Sequence, residues 1–176
     1  KIMRGFQNSN SPLLSYWDGS GGVKSLYQGI RICNIFLSNI QNVPDLNIEE
    51  QKDWTAQIKV LKAFYHFYLL RLYGPIVLVD KNFEPSSSVE EIQQERKPIE
   101  ECFQFVLNLI NEALYNENGQ EKTDLPNKRE SASLGQIDRI IAKALKAQVL
   151  LYRASPLFNG NSEYYSNFKG INGQLL

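Results

Sequence analysis

WTAQIKVLKAFYHFYLLRLYGP, residues 54–75, decides the fold class. Trp54, Ile58, Leu61, Tyr65, Tyr68 and Leu72 recur at alternating steps of four and three, the spacing of one face of an α-helix. Val60, Phe64, Phe67 and Leu70 are apolar as well and lie on other faces, so this helix is expected to be packed on two sides. Gly74-Pro75 stops it, because proline offers no amide and glycine accepts the backbone of a helix end. The pattern predicts a helix over about 48–73.

Similar stripes stand on either side. Leu26, Ile30, Cys33, Phe36 or Leu37, and Ile40 predict a helix over about 23–41, ended by Asn42-Val43-Pro44. Downstream, Ile76-Val77-Leu78-Val79 is a short apolar run, strand-like or packed as a loop, followed by a polar, serine-rich loop over 81–97 with room for a turn of helix. Pro98 opens a third helix on Ile99, Phe103, Val106, Ile110 and Ala113, with Glu100 and Glu101 in its first turn. Residues 116–134 are polar again. Ile140, Ala144, Ala147, Leu151 and Ala154 then predict a fourth helix over about 136–154, ended by Pro156. The segment from Lys59 to Tyr68 is echoed from Lys143 to Tyr152 at an offset of 84 residues, two helical hairpins of about forty each. The expected class is all-α: antiparallel, tetratricopeptide-like hairpins with long irregular loops. In domain terms, 1–22 reads as a loop segment, 23–160 as helical hairpins and 161–176 as a flexible tail, within a partial domain spanning 1–176.

Composition narrows the function. Nineteen basic residues balance nineteen acidic ones, so no net field draws in nucleic acid or anionic lipid. With 43% hydrophobic residues the chain is ordinarily globular, and 176 residues suit one domain that buries roughly 70% of its unfolded surface. Cys33 and Cys102 sit inside apolar helical patterns and are expected to be buried thiols. The opening on Lys1 and the soft Gly170-Ile171-Asn172-Gly173 tail suggest a piece of something longer.

Little catalytic chemistry is legible. Gly19-Ser20-Gly21-Gly22-Val23-Lys24-Ser25 fails as a phosphate loop, because Val23 separates the glycines from Lys24 and no strand precedes it. His66 is the only histidine, without a second ligand or a nucleophile beside it, and is expected to be a packing residue. Glu49-Glu50, Glu90-Glu91 and Glu100-Glu101 are adjacent acids at helix starts, not carboxylates facing each other across a cleft. No enzyme activity, cofactor or metal is expected. The first loop is different: Phe6, Tyr16 and Trp17 stand among Asn8, Asn10, Ser11 and Asp18 without helical periodicity. Flat aromatic faces stack on the C–H faces of sugar rings, and amides bond sugar hydroxyls. Phe6, Asn8 and Trp17 are therefore the candidate ligand-binding residues, although a loop capping a helix bundle has the same composition.

Several segments together resemble the SusD/RagB family. Tyr27 to Leu37 is similar to the family's first helix with its Ile-Arg and Asn-x-Phe-Leu landmarks, and Leu61 to Phe67 with Leu70 to Gly74 resembles its most recognisable helix and glycine stop. Arg96-Lys97-Pro98 with Glu101 resembles the entry to the third helix. Ala144 to Ala147, Leu150 to Tyr152 and Ala154 to Gly160 resemble the ending of the fourth. Val77, where proline is common, and Ile137-Asp138-Arg139 depart from the pattern. The resemblance implies a non-enzymatic, lipid-anchored protein of the outer-membrane surface that captures oligosaccharide or polysaccharide for import through a TonB-dependent transporter. The anchor, and with it the only membrane contact, would lie outside this segment. A helical-repeat scaffold that binds protein and no sugar is the rival reading.

Overall fold

The computed structural model describes residues 4, 6, 8, 10, 12–161, 163, 167–170 and 173–175. Parts of the expected first loop and of the tail, Ile171 and Asn172 among them, lie outside the described residues. The elements in chain order are α1 (Leu26–Asn39), α2 (Ile48–Tyr73), the single turn α3 (Val89–Ile92), α4 (Ile99–Leu114) and α5 (Arg139–Ala154). No sheet forms among the described residues; two isolated bridges, Tyr115 to Glu121 and Lys169 to Leu175, are the only pairings there.

Local chemistry sets the helix ends. Ser25 caps α1, its hydroxyl accepting from the Tyr27 amide at 3.2 Å, and Asn47 caps α2 by accepting from the Glu50 amide at 2.9 Å. Asp138 caps α5 through the Ile141 amide at 2.8 Å, so that helix starts three residues later than the stripe alone suggested. All three acid pairs fall in first turns, where the helix dipole favours them. Gly74 ends α2 at a φ of 69°, which residues with a Cβ seldom adopt.

Helix α2 is held between α1 and α4, and α4 also carries α5, giving two successive antiparallel pairs, α1/α2 and α4/α5. The echoing segments Lys59–Tyr68 and Lys143–Tyr152 each fall in the second helix of a pair. On α4 the expected stripe is the buried one: Phe103, Val106, Ile110 and Ala113 are enclosed. Gly29 lets α2 approach α1, since a Cβ there would sit 2.9 Å from the Tyr65 ring.

Two stripes are corrected. On α2 the expected face is the outer one: Trp54 and Leu72 are exposed, Leu61 and Tyr65 half-buried, while Ala56, Val60, Ala63, Phe67 and Leu70 form the core. The small residues at 56 and 63 admit the flanking helices where the bulky stripe could not. On α5, Ile140, Ala144, Ala147, Leu151 and Ala154 face outward, and Ala142, Leu145 and Val149 are enclosed. Both helices are apolar on more than one face, and only one face of α5 meets a neighbour here.

The run after Gly74 is extended and packed, with Ile76 fully buried. It has no partner strand; the Lys97 amide donates to the Ile76 carbonyl at 2.9 Å, and side chains satisfy most of the rest of its backbone. Tyr27 Oη donates to the Val77 carbonyl at 3.2 Å and Arg96 to that of Pro75 at 3.1 Å. The Val79 amide donates to His66 Nε2 at 3.3 Å, and Lys62 Nζ donates to the Asp80 carbonyl at 2.5 Å.

Candidate functional site

Trp17 is placed by its backbone before its ring makes any contact. Its carbonyl accepts from the Ser25 hydroxyl at 2.6 Å, and the neighbouring Tyr16 amide donates to Tyr73 Oη at 3.0 Å. The loop turns tightly beneath it, where Gly21, at a φ of 76°, passes so close to the Leu13 carbonyl that no side chain fits. The indole then meets Tyr27 edge-on at 5.1 Å and Tyr73 edge-on at 5.4 Å. The Arg96 guanidinium lies over it at 4.6 Å. Aromatic pairs in this geometry add to the burial energy and fix ring orientation. Trp17 is thus a rigid, half-buried ring, partly covered by a cation.

That ring forms part of the wall of a cleft of 650 Å³, within the usual size range for small-ligand sites. Tyr27 and Arg31 enter from α1, Val77 and Val79 from the extended run, and Asn82 to Pro85 from the loop beyond it; Ile92 and Gln94 complete the lining. Burial pushes the Tyr27 phenol above its ordinary pKa, so it stays protonated and continues to donate to Val77. Asn82 Nδ2 donates to the Arg31 carbonyl at 3.3 Å and ties the loop to α1. Phe83 is 40% exposed, an aromatic surface open to solvent. The cleft combines aromatic faces with amides and one arginine. It can stack a flat, partly apolar ligand and hydrogen-bond its rim.

Of the residues expected to bind ligand, only Trp17 stands in this cleft. Phe6 is 57% exposed and outside the lining. Asn8 is bound up in a local turn, with Nδ2 donating to the Phe6 carbonyl at 3.4 Å and Oδ1 accepting from the Asn10 amide at 3.1 Å. Tyr27, Arg31, Asn82 and Phe83 were not singled out by sequence reasoning. Tyr27 and Arg31 carried a readable signal, being one helical turn apart on α1 and off its apolar stripe.

His66 is fully enclosed; its Nδ1 donates to the Lys62 carbonyl at 2.9 Å, its Nε2 accepts from Val79, and Phe105 meets the ring edge-on at 5.0 Å. It is a packing residue. Both cysteines are buried free thiols, each pushed up to about 11 by burial. Among the described residues, no group of His, Cys, Asp and Glu side chains converges as a metal site, and no helix is long and apolar enough to cross a membrane. A second cavity, 760 Å³, runs between α2 and α5 over Leu61, Phe64, Ile141 and Leu151. It is almost wholly apolar and offers sugar hydroxyls little to bond.

Comparison with known proteins adds relatives. A family model, SusD-like and described as starch-binding and associating with the outer membrane, matches residues 14–151. A SusD-like protein of Bacteroides ovatus is 25% identical over 138 residues, which cover 77% of this chain and 22% of that protein. Among solved structures, BT4246 is 32% identical with a TM-score of 0.68, covering 80% of this chain and 22% of its own. A laminarin-binding SusD-like protein superposes at a TM-score of 0.66 with 24% identity, over 88% of this chain and 30% of its own. Surface glycan-binding protein A from Bacteroides thetaiotaomicron, in complex with laminarihexaose, gives 0.59 at 18% identity, over 81% and 26%. The last two speak to the fold alone. The chain spans less than a third of the length of each of these relatives.

Proposed function

From the premise that this chain belongs to the SusD-like family of starch-binding, outer-membrane-associating proteins, we propose that it is part of a protein that captures glycan without altering it. The capture serves import: the protein sits at the outer-membrane surface on a lipid anchor and hands oligosaccharide to a TonB-dependent transporter. The observation that carries this reading is the cleft, where the rigid Trp17 stands with Tyr27 and the exposed Phe83 beside Asn82 and Gln94. Aromatic faces with amide rims match pyranose rings, which are apolar on their faces and hydroxylated at their edges.

Calorimetry of the full-length protein against soluble plant and host glycans tests the reading. Phe83→Ala is the clean variant, since that ring is exposed; Trp17→Ala also removes packing and needs a unfolding control. By analogy with base–aromatic stacking, each is expected to cost on the order of 1–3 kcal/mol of binding. If both variants fold and bind the cognate glycan as tightly as wild type, the cleft is not the site. Hydrolysis of that glycan in proportion to protein concentration would remove the capture reading, and the intact mass of the native protein reports the anchor. The apolar cavity between α2 and α5 favours a second reading, a protein-docking scaffold. That reading gains if no glycan binds and a protein partner is held through Leu151 and Phe64.

A further inference from the structure

The arginines of the helical body are nearly all engaged. Arg129 forms a bidentate pair with Asp53 at 2.6 and 2.7 Å, and Arg153 pairs with Glu100. Arg139 donates to the Lys122 and Leu125 carbonyls, and Arg71 lies over Phe67, Tyr68 and Tyr152. Arg96 is fixed between Trp17 and the Pro75 carbonyl. Arg31 is different. Its backbone carbonyl is tied to Asn82, but among the described residues its guanidinium has no carboxylate, carbonyl or ring partner. It stands in the wall of the aromatic cleft.

A guanidinium presents a planar fork of donors that matches a carboxylate or a sulfate ester in a bidentate pair. A pyranose stacked on an aromatic platform projects its exocyclic C5 group outward in the plane of the sugar ring. In a neutral hexose that group is a hydroxymethyl; in a uronic acid it is a carboxylate, and a sulfated sugar carries its charge at a similar reach. An unpaired arginine beside the platform therefore reads the substituent while the rings read the face. Glu84 lines the same cleft and forms no ion pair with Arg31. It opposes a second negative charge, which limits the cleft to one anionic unit at the Arg31 end.

We infer that this cleft selects glycans bearing an anionic sugar unit, a uronic-acid carboxylate or a sulfate ester, through the Arg31 guanidinium. The inference rests on the glycan-capture reading above and deepens it.

Two matched pairs of probes, each charged member carrying a single anionic unit, separate charge from sugar: a neutral oligosaccharide ended by one galacturonate against its methyl ester, and a monosulfated oligosaccharide against its unsulfated form. Binding to the full-length protein is measured by calorimetry for wild type, Arg31→Gln and Glu84→Gln. Wild type is expected to prefer the charged member of at least one pair by about tenfold or more, as befits a charge-assisted bidentate contact. The pair that separates identifies carboxylate or sulfate as the source. In Arg31→Gln the ratio within that pair falls towards one, and in Glu84→Gln the charged member binds more tightly than to wild type. The preference also shrinks as salt is raised, since an exposed ion pair is screened. If neither pair separates, if the ratio survives Arg31→Gln, or if Glu84→Gln weakens the charged member, the inference is overturned. Tight binding of neutral glycan that depends on Phe83 but ignores charge defeats only this inference. Failure of every glycan to bind defeats the capture reading itself.

Discussion

Lowering the pH from neutrality should weaken the fold through a single residue, His66. Its ring is fully enclosed, and burial first of all, reinforced by the Lys62 charge, pushes its pKa down from 6.5 to about 4, against the opposing pull of the Lys62 carbonyl and Asp80. Both nitrogens are committed: Nδ1 donates to the Lys62 carbonyl and Nε2 accepts from the Val79 amide, so a second proton has no place without breaking the latter bond. The sign follows from linkage. Between pH 6.5 and about 4 the unfolded chain takes up a proton that the folded chain refuses, so stability is complete above 6.5 and declines as pH falls through that window. A separation of that size corresponds to about 3 kcal/mol in total, at 1.36 kcal/mol per pH unit. Because His66 is the only histidine, urea titrations of wild type and His66→Gln across the window isolate its share by difference. Carboxylates held low by hydrogen bonds, such as Asp18 and Glu121, begin to act at the acid end of this range and continue below it, and their share cancels between the two proteins. The substitution lowers stability at neutral pH, since it also loses the Phe105 contact, and the gap narrows as pH falls; the slope is the readout. Parallel loss in both proteins from pH 6.5 to 4, or an imidazole resonance titrating near 6.5 in the native state, refutes the reasoning.

Packing gives a sharper contrast than the sequence stripes alone. Ile110→Ala should cost about 2–5 kcal/mol in urea unfolding, because Ile110 is fully enclosed, whereas Leu61→Ala should cost less than half of that. Equal losses would mean that the outer face of α2 is covered. Asp53→Ala leaves the Arg129 guanidinium, which is 9% exposed, without its carboxylate and with only the Ile137 carbonyl, and is expected to cost about 3 kcal/mol; Asp53→Asn, which keeps an acceptor, should cost less. A difference cycle with Arg129→Met measures the coupling, and a value near zero excludes the pair as a tie between α2 and the loop before α5.

Legibility in the sequence tracked the number of apolar faces. Helix α4 gathers its apolar residues on one broad face, with Cys102, Leu107, Leu109 and Leu114 flanking the expected stripe, and a proline stands at its start; its limits and the middle of its buried face were readable. On α2 and α5 the apolar residues cover more than one face, and periodicity cannot say which face meets a neighbour; that depends on where α1 and α4 lie. On α2 the alanines at 56 and 63 were the overlooked signal, because close-packed faces carry small residues; on α5 alanines stand on both the enclosed and the outward face and decide nothing. In the cleft, Trp17 was conspicuous as an aromatic in an aperiodic loop. Its companions come from segments 10 to 77 residues away, and no local pattern joins Tyr27, Arg31 and Phe83 to it. Phe6 and Asn8 matched in composition, but proximity in sequence did not carry them into the cleft.

The extended run from Pro75 to Asp80 hangs from separate pegs: one phenol, one imidazole, one ammonium and one guanidinium. A sheet edge would fix such a run by a repeating ladder that any sequence of strand-formers can supply. Here each peg is a different side chain on α1, α2 or the loop before α4, so the run has a single register and cannot slip by a residue. The loop that begins at Asn82 departs from the last peg. The outer wall of the cleft therefore starts from a fixed point, whatever course the loop takes beyond its tie from Asn82 to α1.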